Sequence, residues 1–277
     1  MAWRRGHRAT LRVVRTSRLW LCGVALAAVL GGCATPPPQV PLPAAGSAPS
    51  AARARSPVSV APPVVVLDPG HNGRNSRNLA AINRQVPDGR GGTKACNTTG
   101  TQTDAGYPEH AFNFDVASRV AQQLTAAGVR VVMTRTDDDG VGPCVDERGR
   151  AGDSAGAAAI VSIHADGAPA RGAGFHVAYS DPPLNPAQEA PAHELSVALR
   201  DAMRSAGFVD SNYIGRDGLS PRSDLAGLNL ATRPTALVEC ANMRNPAEAA
   251  LVSSPEGRAR YASALAQGVL AYLHRPG

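Results

Sequence analysis

Aromatic residues make up only 4% of this 277-residue chain, and nowhere do they interleave with a run of lysine or arginine. A nucleic-acid surface needs a basic run with stacking rings beside it, so that class is excluded. Cysteine is scarce and scattered: there are 5 in all, with no Cys-x-x-Cys pair. A structural zinc site built on cysteines is therefore excluded as well. Acidic residues are missing from positions 1–32, where Arg4, Arg5, Arg8, Arg12, Arg15 and Arg18 all fall. The formal charge of +6 belongs to that segment alone, because beyond it 22 basic residues face 22 acidic ones. The body of the chain is near neutral, and its charge argues for no polyanionic partner. Internal repeats are lacking too, which leaves no sign of a two-lobed or solenoid architecture.

What is there begins with a processing signal. The apolar stretch Leu19–Leu30 has twelve residues, short of the roughly 20 that a membrane span needs. With the basic segment before it, it reads as an export signal over residues 1–32. It closes on Leu30-Gly31-Gly32-Cys33, which resembles the bacterial lipobox, whose cysteine is acylated and becomes the mature N-terminus. An ordinary signal peptide cut near the same place is the alternative. Residues 33–63 are almost entirely Ala, Pro, Ser, Val and Gly, with Arg53 and Arg55 the only charges. Such a stretch buries no core and reads as a tether. Residues 64–277 remain for one domain. An exported protein of the cell envelope or periplasm, anchored by lipid on Cys33, is the expectation. In that oxidising setting Cys96 and Cys144, both in polar loop sequence, are the natural disulfide pair. Cys240, in an apolar run, stays buried and free.

The domain alternates strand and helix patterns. Val64–Leu67 is a buried strand stopped by Asp68-Pro69-Gly70, which presents His71 on the loop beyond it. Asn72–Pro108 is a long polar insertion, functional or disordered by its length. Phe112, Val116, Val120 and Leu124 have helical spacing within Glu109–Ala127, and Gly128 is the stop. Strands are expected at Val129–Thr134, Ala159–Ile163, Gly174–Tyr179 and Thr235–Val238. Further helices are expected at Val145–Ser154, His193–Ala206 and Pro255–Leu273. This alternation predicts a single α/β domain with a mostly parallel central sheet and helices on both faces.

A parallel sheet brings His71, His164 and Glu239 to one edge, since each follows the last residue of a different apolar strand. Glu109, at the start of a helix, can face the same edge. Two histidines and a carboxylate suit an open zinc site, and a further glutamate can serve as base. Plainer readings stand beside this one. Glu109 at a helix start already suits the macrodipole, and His164 can be a hydrogen-bonded strand-end residue. A carboxylate between Val238 and Cys240 is harder to explain without a function, because burying it unpaired is costly. His110, His176 and His193 read as exposed or structural.

Six motifs occur in an order that resembles the zinc-dependent N-acetylmuramoyl-L-alanine amidase family. They are Val66-Leu67-Asp68-Pro69-Gly70-His71, Glu109 with Asn113, Thr134-Arg135, Glu147-Arg148, Val161-Ser162-Ile163-His164-Ala165-Asp166, and Leu237-Val238-Glu239. The resemblance covers roughly residues 64–273. Asn72-Gly73 and Asp166 depart from the commonest family residues without removing a ligand. The resemblance implies Zn2+ held by His71, Glu109 and His164, with Glu239 as the catalytic acid/base. It implies peptidoglycan or muropeptides as the partner, hydrolysed at the amide between the lactyl group of N-acetylmuramic acid and L-alanine. Asp68 and Asp166 are expected to orient the ligand histidines, and a monomer is expected. A zinc carboxypeptidase is the nearest rival, but such enzymes pair their first His and Glu closely, and here 38 positions separate His71 from Glu109. A non-catalytic wall-binding lipoprotein has no use for Glu239, and a solute-binding lipoprotein needs a second lobe.

Overall fold

The computed structural model describes residues 61–275. The expected signal, lipobox and most of the tether lie outside the described residues. Among those described, no helix is long and apolar enough to cross a membrane. In chain order the elements are β1 (Val64–Pro69), α1 (Leu79–Ile82), β2 (Gln85–Pro87), β3 (Thr93–Ala95), α2 (Glu109–Ala126), β4 (Arg130–Met133), α3 (Val145–Ala155) and β5 (Ala159–Asp166). They continue with β6 (His176–Ser180), α4 (Ala190–Ser205), β7 (Leu219–Arg222), α5 (Ala226–Asn229), β8 (Thr235–Asn242), α6 (Pro246–Ser253) and α7 (Pro255–Leu273).

The main sheet has strand order β4-β1-β5-β8-β6-β7. Strands β4, β1, β5 and β8 are parallel neighbours. Strand β6 runs antiparallel to β8, and β7 follows β6 in parallel. The expected α/β domain with a mostly parallel sheet is present, its far edge reversed. Strand β7 is not legible in the sequence, because four residues containing Pro221 carry no strand pattern. Helix α6 is also too short to show a period, though Pro246 at its start and the Asn245 side chain, which accepts from the amides of Ala247 and Glu248, define its N-terminus.

Alternation along each strand separates two environments. Leu67, Val161, Ile163, Val238 and Cys240 pack with Phe112, Val116, Leu195, Leu199, Tyr261 and Leu265 in the main core, between the sheet and α2, α4 and α7. The anticipated α2 stripe of Phe112, Val116, Val120 and Leu124 is fully buried there. On the other face Val66 and Ile160 meet Ala157 and Ala231 in a small cluster beside α3. Helices α3 and α5 cover only part of that face. Ser162, His164, Leu237 and Glu239 are left to line an open cavity of about 380 Å³.

The insertion is ordered. Strands β2 and β3 form an antiparallel hairpin, and a Cys96–Cys144 disulfide ties its base to the loop before α3. Lys94 Nζ donates to the Asp224 carbonyl at 2.6 Å, and Arg90 to the Pro182 carbonyl at 2.6 Å. Asn72 and Asn75, both buried, hold the insertion's start through the Gly142 backbone, at 3.0 Å each. Cys240 is free and buried.

Candidate metal centre

The loop after β1 is shaped by two buried arginines. Arg148 Nη1 donates to Asp68 Oδ1 at 2.6 Å and to the Pro69 carbonyl at 2.7 Å, while Nη2 donates to the His71 carbonyl at 2.7 Å. Arg135 donates to the carbonyls of Pro69 at 2.9 Å and Gly70 at 3.2 Å; burial, only partly offset by Asp138, lowers its pKa to about 10. Asp68 also accepts from Thr134 and Ser162, each at 2.6 Å. Burial alone would raise its pKa, but Arg148 and the two hydroxyls outweigh that and hold it at about 2. Asp68 therefore differs from expectation. It makes no hydrogen bond to either histidine and acts on His71 through Arg148 and the loop backbone. Asp166 bonds neither histidine; it accepts from the Gly167 amide at 2.6 Å.

Close approach demands glycine at position 70, where an added Cβ would sit 2.1 Å from the His164 ring. His71 itself adopts a left-handed φ of 59°, uncommon for a residue with a side chain. Its Nδ1 lies 3.2 Å from the Thr98 carbonyl, and its Nε2 lies 3.1 Å from Glu109 Oε2. His164 Nδ1 lies 3.0 Å from Glu109 Oε1. One ligand atom each from His71, Glu109 and His164 falls within 4.8 Å of the others. Glu109, on the first turn of α2, is 4% exposed. Its Oε2 accepts from the Thr101 amide at 2.9 Å, and its Oε1 from Asn113 at 3.3 Å. Burial alone would raise the Glu109 pKa, but the two imidazoles outweigh it and hold the carboxyl well below the usual range. The same pairing raises the pKa of His71 against the opposing effect of burial. A buried anion between two imidazoles is a donor set that fits a divalent transition ion.

Glu239 is the register partner of His164 across β5 and β8, so the two side chains stand side by side on the cavity face. Both residues lie inside their strands and not past the ends, because pairing continues to Asp166 and Asn242, with a bulge after His164. Burial, then the negative charges of Glu109 and Asp166, push the Glu239 carboxyl well above its ordinary pKa, with Arg222 opposing. Its Oε2 is buried without a hydrogen-bond partner. The cavity is completed by Thr98, Gly100 and Thr101 of the insertion and by Leu225–Leu228.

The structure thus gathers the four expected site residues around one cavity. His110 pairs with Asp138 at 2.7 Å and His193 packs on Tyr179, and neither lines the cavity. The clamping role of Arg135 and Arg148 was not read from sequence, although both belong to motifs that stand out there. Gly100 was missed as well: its φ is +76°, and a Cβ would come 2.8 Å from Glu109 Oε2.

Comparison with known proteins follows the same outline. The family model for N-acetylmuramoyl-L-alanine amidase matches residues 65–271. The N-acetylmuramoyl-L-alanine amidase Rv3717 of Mycobacterium tuberculosis is 51% identical over 222 residues, covering 80% of this chain and 91% of that protein. The crystal structure of the N-acetylmuramyl-L-alanine amidase Ami1 of Mycobacterium smegmatis aligns with 55% identity and a TM-score of 0.74, over 76% of this chain and 96% of that one. Ami1 of Mycobacterium abscessus gives 54% identity and a TM-score of 0.74, over 77% and 100%. The chain belongs to the N-acetylmuramoyl-L-alanine amidase family.

Proposed function

We infer that this protein hydrolyses the amide joining the lactyl group of N-acetylmuramic acid to the L-alanine of the peptidoglycan stem peptide, with zinc held by His71, Glu109 and His164. The observation that carries this reading is the convergence of two imidazoles and a buried carboxylate within 4.8 Å, beside a second buried glutamate on the same cavity. Three such donors leave one tetrahedral position open, as hydrolytic zinc sites do. A zinc ion bound there supplies Lewis acidity that makes water attack on an amide feasible at neutral pH.

The chain's own residues supply the rest. Asn113 and the Thr101 amide orient Glu109, and Arg148 and Arg135 hold the His71 loop. Glu239 takes the proton from the attacking water and returns it to the departing amine, a very poor leaving group without it. Burial and the charges of Glu109 and Asp166 lift the Glu239 carboxyl, with Arg222 opposing, and a raised pKa suits a group that must hold the proton and deliver it to the amine.

A peptidoglycan substrate implies an extracytoplasmic location, and the Cys96–Cys144 bridge is in keeping with an oxidising compartment. We read residues 1–32 as the export signal, Cys33 as the lipid anchor, residues 33–63 as the tether and residues 64–277 as a monomeric catalytic domain. The decisive experiment is product analysis on purified peptidoglycan. New L-alanine amino termini and free muramic lactyl acids are expected. Loss of mass from the peptide's carboxyl end would instead make the protein a carboxypeptidase.

A further inference from the structure

His176, the first residue of β6, pairs with Glu239 across the antiparallel β6/β8 ladder, just as His164 pairs with Glu239 across β5/β8. Three side chains therefore stand in one row on the cavity face of the sheet. His176 is 2% exposed, and its Nδ1 has no hydrogen-bond partner. The same holds for Oε2 of Glu239. The Tyr213 ring packs edge-on against His176, with centroids 6.2 Å apart. Gly172 makes room for that ring, since a Cβ there would come 2.8 Å from Tyr213 Cδ1. Each buried polar atom without a partner is costly, so two on facing register partners are a poor arrangement for a purely structural wall. Burial, with Arg222 opposing protonation and Asp166 favouring it, keeps the imidazole neutral with a pKa of about 4. A neutral ring carries one N–H donor and one acceptor nitrogen. Cross-strand neighbours have Cβ atoms about 4.5–5.5 Å apart, so a turn of either side chain brings donor and carboxylate together.

We propose that His176 is a positioning residue for Glu239, its ring N–H donating to the inner carboxylate oxygen Oε2 so that Oε1 is directed into the cavity. Tyr213 holds the imidazole plane from the side away from the sheet's core. The proposal rests on the reading of Glu239 as the acid/base.

Its test uses the zinc-loaded protein and a soluble muropeptide. His176→Leu keeps the volume but removes the donor. It is expected to lower kcat by roughly 10-fold or more, with KM, zinc content and Tm little changed. His176→Asn restores an N–H near the Nδ1 position and is expected to recover most of the loss. Equal losses in both folded variants, or loss of zinc from His176→Leu, would overturn the proposal. A second readout does not depend on turnover. The ring N–H proton of His176, seen by NMR only when protected by a hydrogen bond, is expected in the native protein and in Glu239→Gln. It should vanish in Glu239→Leu. An unchanged signal in Glu239→Leu shows a different acceptor and ends the proposal, even where His176→Leu fails to fold. If the native protein cleaves no muramoyl amide while the ring proton behaves as expected, the functional reading fails and the His176–Glu239 contact stands.

Discussion

Glu109 and Glu239 are glutamates of one cavity whose pKa values are pushed in opposite directions, and their neighbours account for the difference. Glu109 sits between two imidazoles, while Glu239 is buried near the carboxylates of Glu109 and Asp166. Environments that push paired carboxyls apart mark out separate roles. Glu239→Gln is therefore expected to keep its zinc while turnover falls by roughly 10²-fold or more; metal analysis beside kinetics checks this, and loss of zinc would make Glu239 a ligand. Gly70→Ala is expected to cut metal affinity with the rest of the fold intact, because its Cβ displaces the His164 ring; equilibrium dialysis with zinc measures it. Asp68 carries the pH dependence. Its folded pKa of about 2 lies below the ordinary aspartate value of 3.8, so its stabilisation is present above pH 3.8 and is lost as pH falls through 2. The shift corresponds to about 2 kcal/mol. Asp68→Asn should be destabilised at pH 7, also because it strands the buried Arg148 charge. The gap from the native protein should narrow as pH falls from about 4 to 2, which thermal melts across pH would record.

At the scale of elements, the insertion between β1 and α2 matters most. Both of its ends are pinned at the metal centre, one by His71 and the other by Glu109. Its hairpin is held to the 180–182 and 223–224 segments by Arg90 and Lys94, and its base by the disulfide. Closing a loop of that length by a disulfide is worth about 2–4 kcal/mol. The Cys96→Ser, Cys144→Ser double variant is expected to fold and bind zinc with a Tm lower by roughly 5–15 °C. Its affinity for muropeptide should also change, because Thr98, Gly100 and Thr101 follow directly from Cys96 along the cavity wall. Calorimetry and substrate titration would show both effects. Unchanged affinity would mean that the hairpin's hydrogen bonds alone hold the wall.

At the scale of the whole molecule, the sheet gathers one candidate metal site among the described residues. Parallel strands β1, β5 and β8 present their cavity-facing residues at one end, and α2 delivers Glu109 there from the opposite layer. A single zinc per chain is the expected stoichiometry. A chelator should abolish amide cleavage and added zinc restore it, whereas full activity in a metal-free preparation would exclude the mechanism. His164→Ala should lose metal and activity together.

The sequence by itself determined the α/β class, the buried strands and the main helices, because apolar runs and the Phe112-Val116-Val120-Leu124 period are local properties of the chain. It also marked His71, Glu109, His164 and Glu239, since ionisable residues beside apolar runs stand out without coordinates. The ligand set among them came from family resemblance, because residues from four separate segments obey no spacing rule. The reversal of β6 and β7 was decided by tertiary pairing, and so was the placement of His164 and Glu239 inside their strands: strand ends depend on the partner strand, which local pattern does not contain. The roles of Asp68, Arg148 and Arg135 were likewise invisible, because their hydrogen bonds join residues as many as 80 positions apart. His176 reads in the sequence as an exposed or structural histidine; only the β6/β8 register brings it beside Glu239.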